Sequence, residues 1–300
     1  MTPPGVSHVR LTDCPAACDQ MGFEELGGLL YFVAGRATVN HSQKVYAYNP
    51  ADNTWTERAD YPIAVQSIVL RAVGTKLYGI GGYNSQTDTM YANVYEYDPD
   101  ANTWTEKTAM PTAREDFGGA VIGTKIYCFG GLGASSGTPC KKLEIYDTSN
   151  DTWDATKADM PDYKHLGDIG VTTGGKIYAI GGTNTFADYP VLHQMPTMYE
   201  YDPDTNTWTY KAYLPISISY KECVTLSDGK IYIVSGATVS TTDYTQTAWR
   251  YDPTANTWEQ IASAPYAARG AGLAVYNDQI YMVGGFNGSM LAYLYRLGYS

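Results

Sequence analysis

The ten residues YEYDPDANTW, at positions 95–104, return almost unchanged as YEYDPDTNTW at positions 199–208. Looser copies read YAYNPADNTW, EIYDTSNDTW and WRYDPTANTW. The tryptophans that end the five copies, at positions 55, 104, 153, 208 and 258, are separated by 49, 49, 55 and 50 residues. A period of about fifty residues predicts an array of similar structural units along the chain.

A second series of segments keeps the same period. Its six members are LYFVAG, LYGIGG, IYCFGG, IYAIGG, IYIVSG and IYMVGG. Short β-rich segments bounded by Gly, Asn, Asp and Pro predict strands, and no helical periodicity competes with them. We expect four strands in each unit, named a to d in chain order, with the segment of this second series as strand b.

The turns between these strands are explained by their residues. In the quoted decamer, Asp98 can accept hydrogen bonds from the backbone ahead, Pro99 presets its own φ, and Asn102 tolerates a left-handed conformation. Trp104 then begins strand d. The a–b connections centre on GT, GT, GG, DG and ND, which suit two-residue hairpins.

Repeated Ile/Leu-Tyr-x-x-Gly-Gly, Tyr-Asp-Pro and Trp segments at this spacing resemble kelch repeats of the bacterial type, over nearly the whole chain. The resemblance implies an all-β fold, a six-bladed β-propeller of four-stranded antiparallel blades. We expect one domain, residues 1–300. Its predicted blades are 18–59, 64–109, 113–159, 165–213, 219–263 and 269–300, and the last is completed by residues 6–13.

The two ends of the chain support this closure. The last unit, ending SMLAYLYRLGYS, stops after its strand c. The segment SHVRLTDCPAA aligns with TWTERADYPIA, which places His8 at the tryptophan position and Pro15 at Pro62. We therefore expect the N-terminal strand to be strand d of the last blade, which would hide the edges of an open array.

Composition excludes several classes of function. The net charge of -11 and scattered basic residues argue against nucleic acid as a partner. No apolar run is long enough for membrane insertion. The five cysteines form no C-x-x-C motif, so we expect buried thiols, no metal and no cofactor. We expect a monomer that is cytoplasmic if the chain is complete, and secreted or at the cell surface if a signal was removed.

One face of the predicted propeller carries the sequence variation. The a–b and c–d turns lie on one face and are nearly identical, whereas the b–c loops and d–a connections lie on the other and differ. The resemblance implies a binding site at this second face, around the channel. Arg114, His165 and Arg269 occupy similar positions before strand a. The candidate ligand-binding residues are Arg36, Tyr83, Arg114, Glu115, His165, Asp168, Tyr189, Tyr220, Lys221 and Arg269.

Three functions remain open at this point. The first is a non-enzymatic binding module that recognises a protein segment or a glycan. The second is a carbohydrate-active isomerase like the mutarotases that some kelch propellers resemble, in which Glu115, His165 and Arg114 would serve as acid, base and oxyanion-stabilising groups. The third is a structural or adhesive surface element. We expect no catalytic residue under the first, which we prefer.

Overall fold

The computed structural model describes residues 7–133, 138–165, 170–184, 194–220, 222–238 and 240–299. Its strands form six four-stranded antiparallel sheets, and each sheet is one blade. In blades 1 to 5 the spatial order of strands follows the chain, and in blade 6 the fourth strand comes from the N-terminus. The described residues contain no helix long and apolar enough to cross a membrane.

Most strands of the blades are four or five residues long. In blades 1 to 6, strand a is Gly22–Leu26, Val69–Val73, Gly118–Ile122, Gly170–Thr173, Glu222–Thr225 and Gly272–Tyr276. Strand b is Leu29–Val33, Lys76–Ile80, Lys125–Phe129, Lys176–Ile180, Ile231–Ala237 and Gln279–Val283. Strand c is Val45–Asn49, Val94–Asp98, Leu143–Asp147, Met198–Asp202, Tyr244–Asp252 and Leu294–Leu297. Strand d is Thr54–Arg58, Thr103–Lys107, Thr152–Asp154, Thr207–Tyr210, Thr257–Ile261 and Val9–Arg10.

Short strands lie outside the blades, on the side of the b–c loops. Tyr83–Asn84 and Thr89–Met90 pair with each other, and Arg114–Glu115, Leu132–Gly133 and Thr138–Pro139 form a three-stranded sheet. These additions extend blades 2 and 3 toward the variable face.

Strand a of each blade contacts strand a of the next blade, and the contact between blades 6 and 1 closes the ring. The predicted six-bladed propeller and its closure are therefore confirmed. The inner strands surround a central channel, with a cavity of about 290 Å³ lined by strand a residues of all six blades.

Arg71 is one of the polar side chains that line this channel. Its Nε and Nη2 donate to the carbonyl oxygen of Gly119 at 3.0 and 2.7 Å, and Nη1 donates to that of Leu70 at 2.7 Å. The inner strand of a blade has one edge without a neighbouring strand, so its carbonyls need other partners. Arg71 supplies such a partner inside the ring.

The hydrophobic core is divided among the interfaces between blades. The described buried residues form six clusters, and each cluster combines side chains of two neighbouring blades. The ring of Tyr31 in blade 1, for example, lies edge-to-face on Tyr97 of blade 2 at 5.8 Å. Each blade is thus stabilised by its neighbours, as expected for repeats that cannot bury an apolar face alone.

The repeated decamer joins each blade to the preceding one. Asn102 has a φ of 53°, and its Oδ1 accepts from the Tyr97 hydroxyl at 2.7 Å and from the Ala59 amide of blade 1 at 2.9 Å. Trp104 Nε1 donates to the Ala59 carbonyl at 3.1 Å. Equivalent hydrogen bonds to backbone carbonyls are donated by the indole nitrogens of Trp55, Trp153, Trp208 and Trp258. The repeated residues are therefore an inter-blade latch rather than a binding motif.

The N-terminal segment supplies strand d of blade 6 and connects this blade to blades 5 and 1. Val9 and Arg10 pair with Arg296 and Tyr295 in strand c. A ring nitrogen of His8 lies 2.8 Å from the Ser263 carbonyl of blade 5, where the other blades use tryptophan. On the other side, Thr12 forms the latch with blade 1, through Asn53 and Trp55. All five cysteines are free thiols.

Candidate functional site

One position in each blade defines the entrance to the channel on the variable face. It is the residue before strand a whose backbone pairs with the residue directly after the last glycine of the strand b segment, as Asp19 pairs with Arg36. The six residues at this position, here called the mouth ring, are Asp19, Gln66, Glu115, His165, Ser219 and Arg269. All six are polar and all are buried, and they differ in charge and in hydrogen-bonding capacity.

The residue after each member of the mouth ring has a left-handed backbone wherever it is described. These residues are Gln20, Ser67, Asp116, Tyr220 and Gly270. Their backbones are joined from blade to blade: Ser67 donates to Gln20 at 2.8 Å, Gln20 to Gly270 at 2.9 Å, and Gly270 to Tyr220 at 2.7 Å. The left-handed turn therefore holds the entrance together and fixes the directions of the side chains around it.

Two arginines share one aspartate at the junction of blades 6 and 1. Arg36 makes a bidentate pair with Asp19, with Nε to Oδ1 at 2.9 Å and Nη2 to Oδ2 at 2.5 Å. Arg269 Nε lies 4.0 Å from the same Oδ2, and its guanidinium lies over the rings of Tyr220 and Phe286 at 4.9 and 5.1 Å. Burial raises the pKa of Asp19, and both arginines oppose that shift. Arg36 remains 29% exposed, whereas Asp19 is 1% exposed.

Glu115 and Asp116 form a buried carboxyl pair at the entrance of blade 3. Burial and the neighbouring Asp116 raise the pKa of Glu115 to about 9. Burial raises the pKa of Asp116 to about 6, against hydrogen bonds from Ser67 and Gln20. Near neutral pH the pair therefore holds one proton, so it can donate a hydrogen bond as well as accept one.

His165 and Tyr83 complete the polar part of the mouth. Burial lowers the pKa of His165 to about 3, so the imidazole is neutral at physiological pH. The Tyr83 hydroxyl donates to Asp88 at 2.9 Å, and its ring is half-buried. On the opposite side, Tyr244 packs edge-to-face on Phe286 with ring centroids 6.0 Å apart.

The structure corrects the expected position of Arg114. Its side chain is fully buried in blade 3, where Nη2 donates to Glu144 at 2.7 Å and Nη1 donates to the carbonyls of Gly130 and Lys142 at 3.0 and 2.9 Å. Glu115, one residue later, is the true equivalent of His165 and Arg269. Neighbouring residues of an extended chain point in opposite directions, so the shift of one residue turns Arg114 away from the mouth.

The structure brings six of the predicted site residues to the mouth: Arg36, Tyr83, Glu115, His165, Tyr220 and Arg269. Three others, Asp168, Tyr189 and Lys221, lie outside the described residues. The sequence interpretation missed Asp19, Gln20, Gln66, Ser67, Asp116 and Phe286. Aligning each residue before strand a with the glycine pair of its own blade would have found most of them. Among the described residues, no three His, Cys, Asp or Glu side chains are arranged to hold a metal ion.

Comparisons with known proteins agree with this architecture. The family model of the KLHDC2/KLHL20/DRC7 Kelch-repeats domain matches residues 20–215, and the Kelch motif matches residues 223–265. This chain belongs to the kelch-repeat family. A solved structure, titled "Structure of YjhT", superposes with a TM-score of 0.80 at 16% identity over 96% of each chain, a likeness of fold. A search of the curated proteins found no match.

Proposed function

We propose that this kelch propeller is a binding module that holds a glycan or a protein segment at its mouth. The observation that carries the proposal is the mouth ring itself. Its six members share one backbone pairing but differ in charge and hydrogen-bonding capacity, whereas the latch residues of the opposite face are almost constant. Variable polar groups on a rigid scaffold are typical of a recognition site.

The two sides of the mouth differ in chemistry. Blades 1 to 3 supply carboxyl, amide and hydroxyl groups, such as Glu115 and Gln66, while blades 5 and 6 supply the rings of Tyr220, Tyr244 and Phe286. A ligand that fits both sides has an apolar face and several hydrogen-bonding groups. A sugar ring and a short peptide both meet this requirement.

We expect the replacement Arg36→Ala to weaken ligand binding by about tenfold or more, because arginines at the centre of an interface often dominate its energy. Arg36 is the accessible member of the arginine pair, and Arg269 remains near Asp19 when Arg36 is removed. Glycan and peptide arrays identify the ligand, and titration of the strongest hit with both proteins measures the loss.

The matched control is Arg250→Ala, since Arg250 is also a partly buried arginine paired with a carboxylate, Glu259, but lies in strand c of blade 5. Its array profile should equal that of the unchanged protein. An Arg36→Ala protein that binds the same hits with the same affinity would contradict the proposed site.

An isomerase acting on a carbohydrate is the second candidate, and the Glu115–Asp116 pair supports it. A protonated and an ionised carboxyl side by side near neutral pH can serve as general acid and general base. Turnover of an array hit that disappears in Glu115→Gln while binding persists would favour this function over simple binding.

The carboxyl pair also predicts how the free energy of unfolding depends on pH. Glu115 titrates near 4.5 when unfolded and about 9 when folded, so the folded chain holds an additional proton between these values. Stability should therefore fall as the pH rises through this window, by about 4 kcal/mol between about pH 5 and about pH 8. Denaturant titrations should show a flatter pH dependence for Glu115→Gln. Equal slopes for the two proteins would refute the assignment.

A further inference from the structure

The b–c loop of blade 6 contains the one asparagine of the chain that is followed by glycine, at Asn287 and Gly288. The loop is short, because Phe286 pairs with Met290 and only three residues lie between them. Asn287, Gly288 and Ser289 are all exposed. Asparagine is a chemically labile residue, and a following glycine has no Cβ to obstruct attack by its amide nitrogen on the asparagine side chain.

The backbone of this loop leaves the reacting groups free. Gly288 has a φ of 105°, and no atom lies within 4 Å of the place that a Cβ would take. Among the described residues, neither the Gly288 amide nor the Asn287 side chain has a hydrogen-bond partner. The bonds of the loop run from the Asn287 amide to the Ser289 carbonyl and from the Leu291 amide to the Gly285 carbonyl. The amide nitrogen of Gly288 and the side-chain carbonyl carbon of Asn287 can therefore approach each other without breaking a hydrogen bond.

Blade 2 has an asparagine at the equivalent place, and its side chain is held. Asn84 and Asn287 each lie two residues after the glycine pair of their own blade. Asn84 is 7% exposed, and its Nδ2 donates to the Ala64 carbonyl at 2.9 Å. Its Oδ1 accepts from the backbone amides of Gln86 and Thr87 at 2.9 and 3.2 Å. These three bonds keep the Asn84 side chain away from the amide that follows it, so blade 2 provides an internal comparison.

The reaction at Asn287 needs only water and hydroxide. Hydroxide removes the amide proton of Gly288, and the nitrogen forms a bond to the side-chain carbonyl carbon of Asn287. The C–N bond of the side-chain amide then breaks, and ammonia leaves with a proton taken from water, which regenerates hydroxide. A water molecule opens the resulting five-membered imide at either carbonyl and yields aspartate or isoaspartate. No atom is oxidised or reduced, and the loop gains one negative charge at neutral pH.

The new charge would lie beside the two arginines of the mouth. Phe286 pairs with Arg269 of the mouth ring, and its ring lies 5.1 Å from the guanidinium of Arg269 and 5.9 Å from that of Arg36. Asn287 is the next residue of the chain. A carboxylate at position 287 would therefore compete with Asp19, and with an acidic ligand, for the positive charge of these arginines.

We propose that Asn287 is a site of spontaneous deamidation, which adds a negative charge at the mouth and weakens the binding of acidic ligands there. The modification follows from the chemistry of the loop alone, whereas its effect on binding rests on the function proposed for the mouth. A unit charge at about 10 Å changes the binding of a singly charged group by about twofold to fourfold at low salt.

The modification is tested on the full chain, kept at about pH 8 and about 37 °C. Peptide mass spectrometry follows the small gain in mass at each asparagine, and a protein carboxyl methyltransferase labels isoaspartate. We expect Asn287 to convert at least about tenfold faster than Asn84, and faster as the pH rises, because hydroxide takes part in the reaction. Conversion of Asn287 no faster than that of Asn84 overturns the proposal.

The matched variant is Asn287→Gln, which keeps the amide but adds one methylene. Ring closure would then require a six-membered imide, so isoaspartate labelling of the loop should disappear. The melting temperature should not change, since the Asn287 side chain is exposed and makes no hydrogen bond to the described residues. Labelling that persists in this variant would come from another residue and would contradict the assignment.

The effect on binding is measured with Asn287→Asp, which carries the new charge from the start. Arrays of acidic and neutral glycans and peptides are probed with this variant and with the freshly purified chain. We expect the ratio of acidic to neutral binding to fall by about twofold or more in the variant. Equal ratios overturn the effect on the mouth. A fresh chain that binds no probe contradicts the function proposed for the mouth, while the mass measurements still decide whether Asn287 is modified.

Discussion

A chain that begins at Cys14 should melt at least about 10 °C below the full chain, or fail to fold cooperatively. The deletion removes strand d of blade 6, the His8 contact with Ser263 of blade 5 and the Thr12 latch to blade 1. It also exposes the edge of strand c in blade 6, Leu294–Leu297. A loss of several kcal/mol corresponds to a shift of this size in a chain of this length. Differential scanning calorimetry measures it.

The matched control is a chain that begins at Ser7, which keeps every contact just described and should melt like the full chain. A second variant, Trp55→Phe, removes the indole bond to the Thr12 carbonyl and part of the ring that packs on Tyr48, and should cost at least about 1 kcal/mol. If the chain beginning at Cys14 melts with the full chain, the N-terminal strand does not close the propeller.

Most of the fold could be predicted because the residues that form the turns and the contacts between blades recur in every repeat. Asn102 and Trp104 recur in the same places since each blade must be joined to the previous one by the same two bonds. His8 was recognisable at the tryptophan position even though its chemistry differs, because the proline and aspartate after it keep the spacing of the other units.

The mouth was harder to predict because a side chain's direction depends on single residues. Arg114 and Glu115 are neighbours, and only the pairing of Glu115 with Leu132 identifies which of them occupies the mouth-ring position. Lys164 in blade 4 is a second basic residue that precedes the mouth-ring position and is directed into its own blade. It is the equivalent of Arg114, and its Nζ donates to the carbonyls of Gly181 and Thr197, while the next residue, His165, occupies the mouth-ring position.

Side-chain contacts between distant parts of the chain could not be predicted from the sequence. Phe286 is in the last repeat and Arg36 in the first, and only ring closure brings the arginine within 5.9 Å of the phenyl ring. The same closure places Arg269 beside Asp19. Periodicity predicts that blades 6 and 1 meet, but it does not predict which side chains complement each other there.

Replacing Glu144 by alanine should destabilise the chain by about 3–5 kcal/mol, because it leaves the Arg114 charge buried without its partner. Both side chains are almost completely buried, at 0% and 2% exposure, and they are 2.7 Å apart. Thr112 would also lose its hydrogen bond to Glu144, which is 2.6 Å long. Urea unfolding followed by tryptophan fluorescence measures the change in the free energy of unfolding.

The double variant Arg114→Met, Glu144→Ala separates the charge effect from the loss of packing. It removes both charges, so it should recover most of the stability that Glu144→Ala loses. Neither variant should change binding at the mouth, since Arg114 points into blade 3 rather than toward the channel. A double variant as unstable as Glu144→Ala would mean that packing around Glu144, and not the uncompensated guanidinium, accounts for the loss. Weaker ligand binding in a folded double variant would instead indicate that Arg114 contributes to the binding site at the mouth.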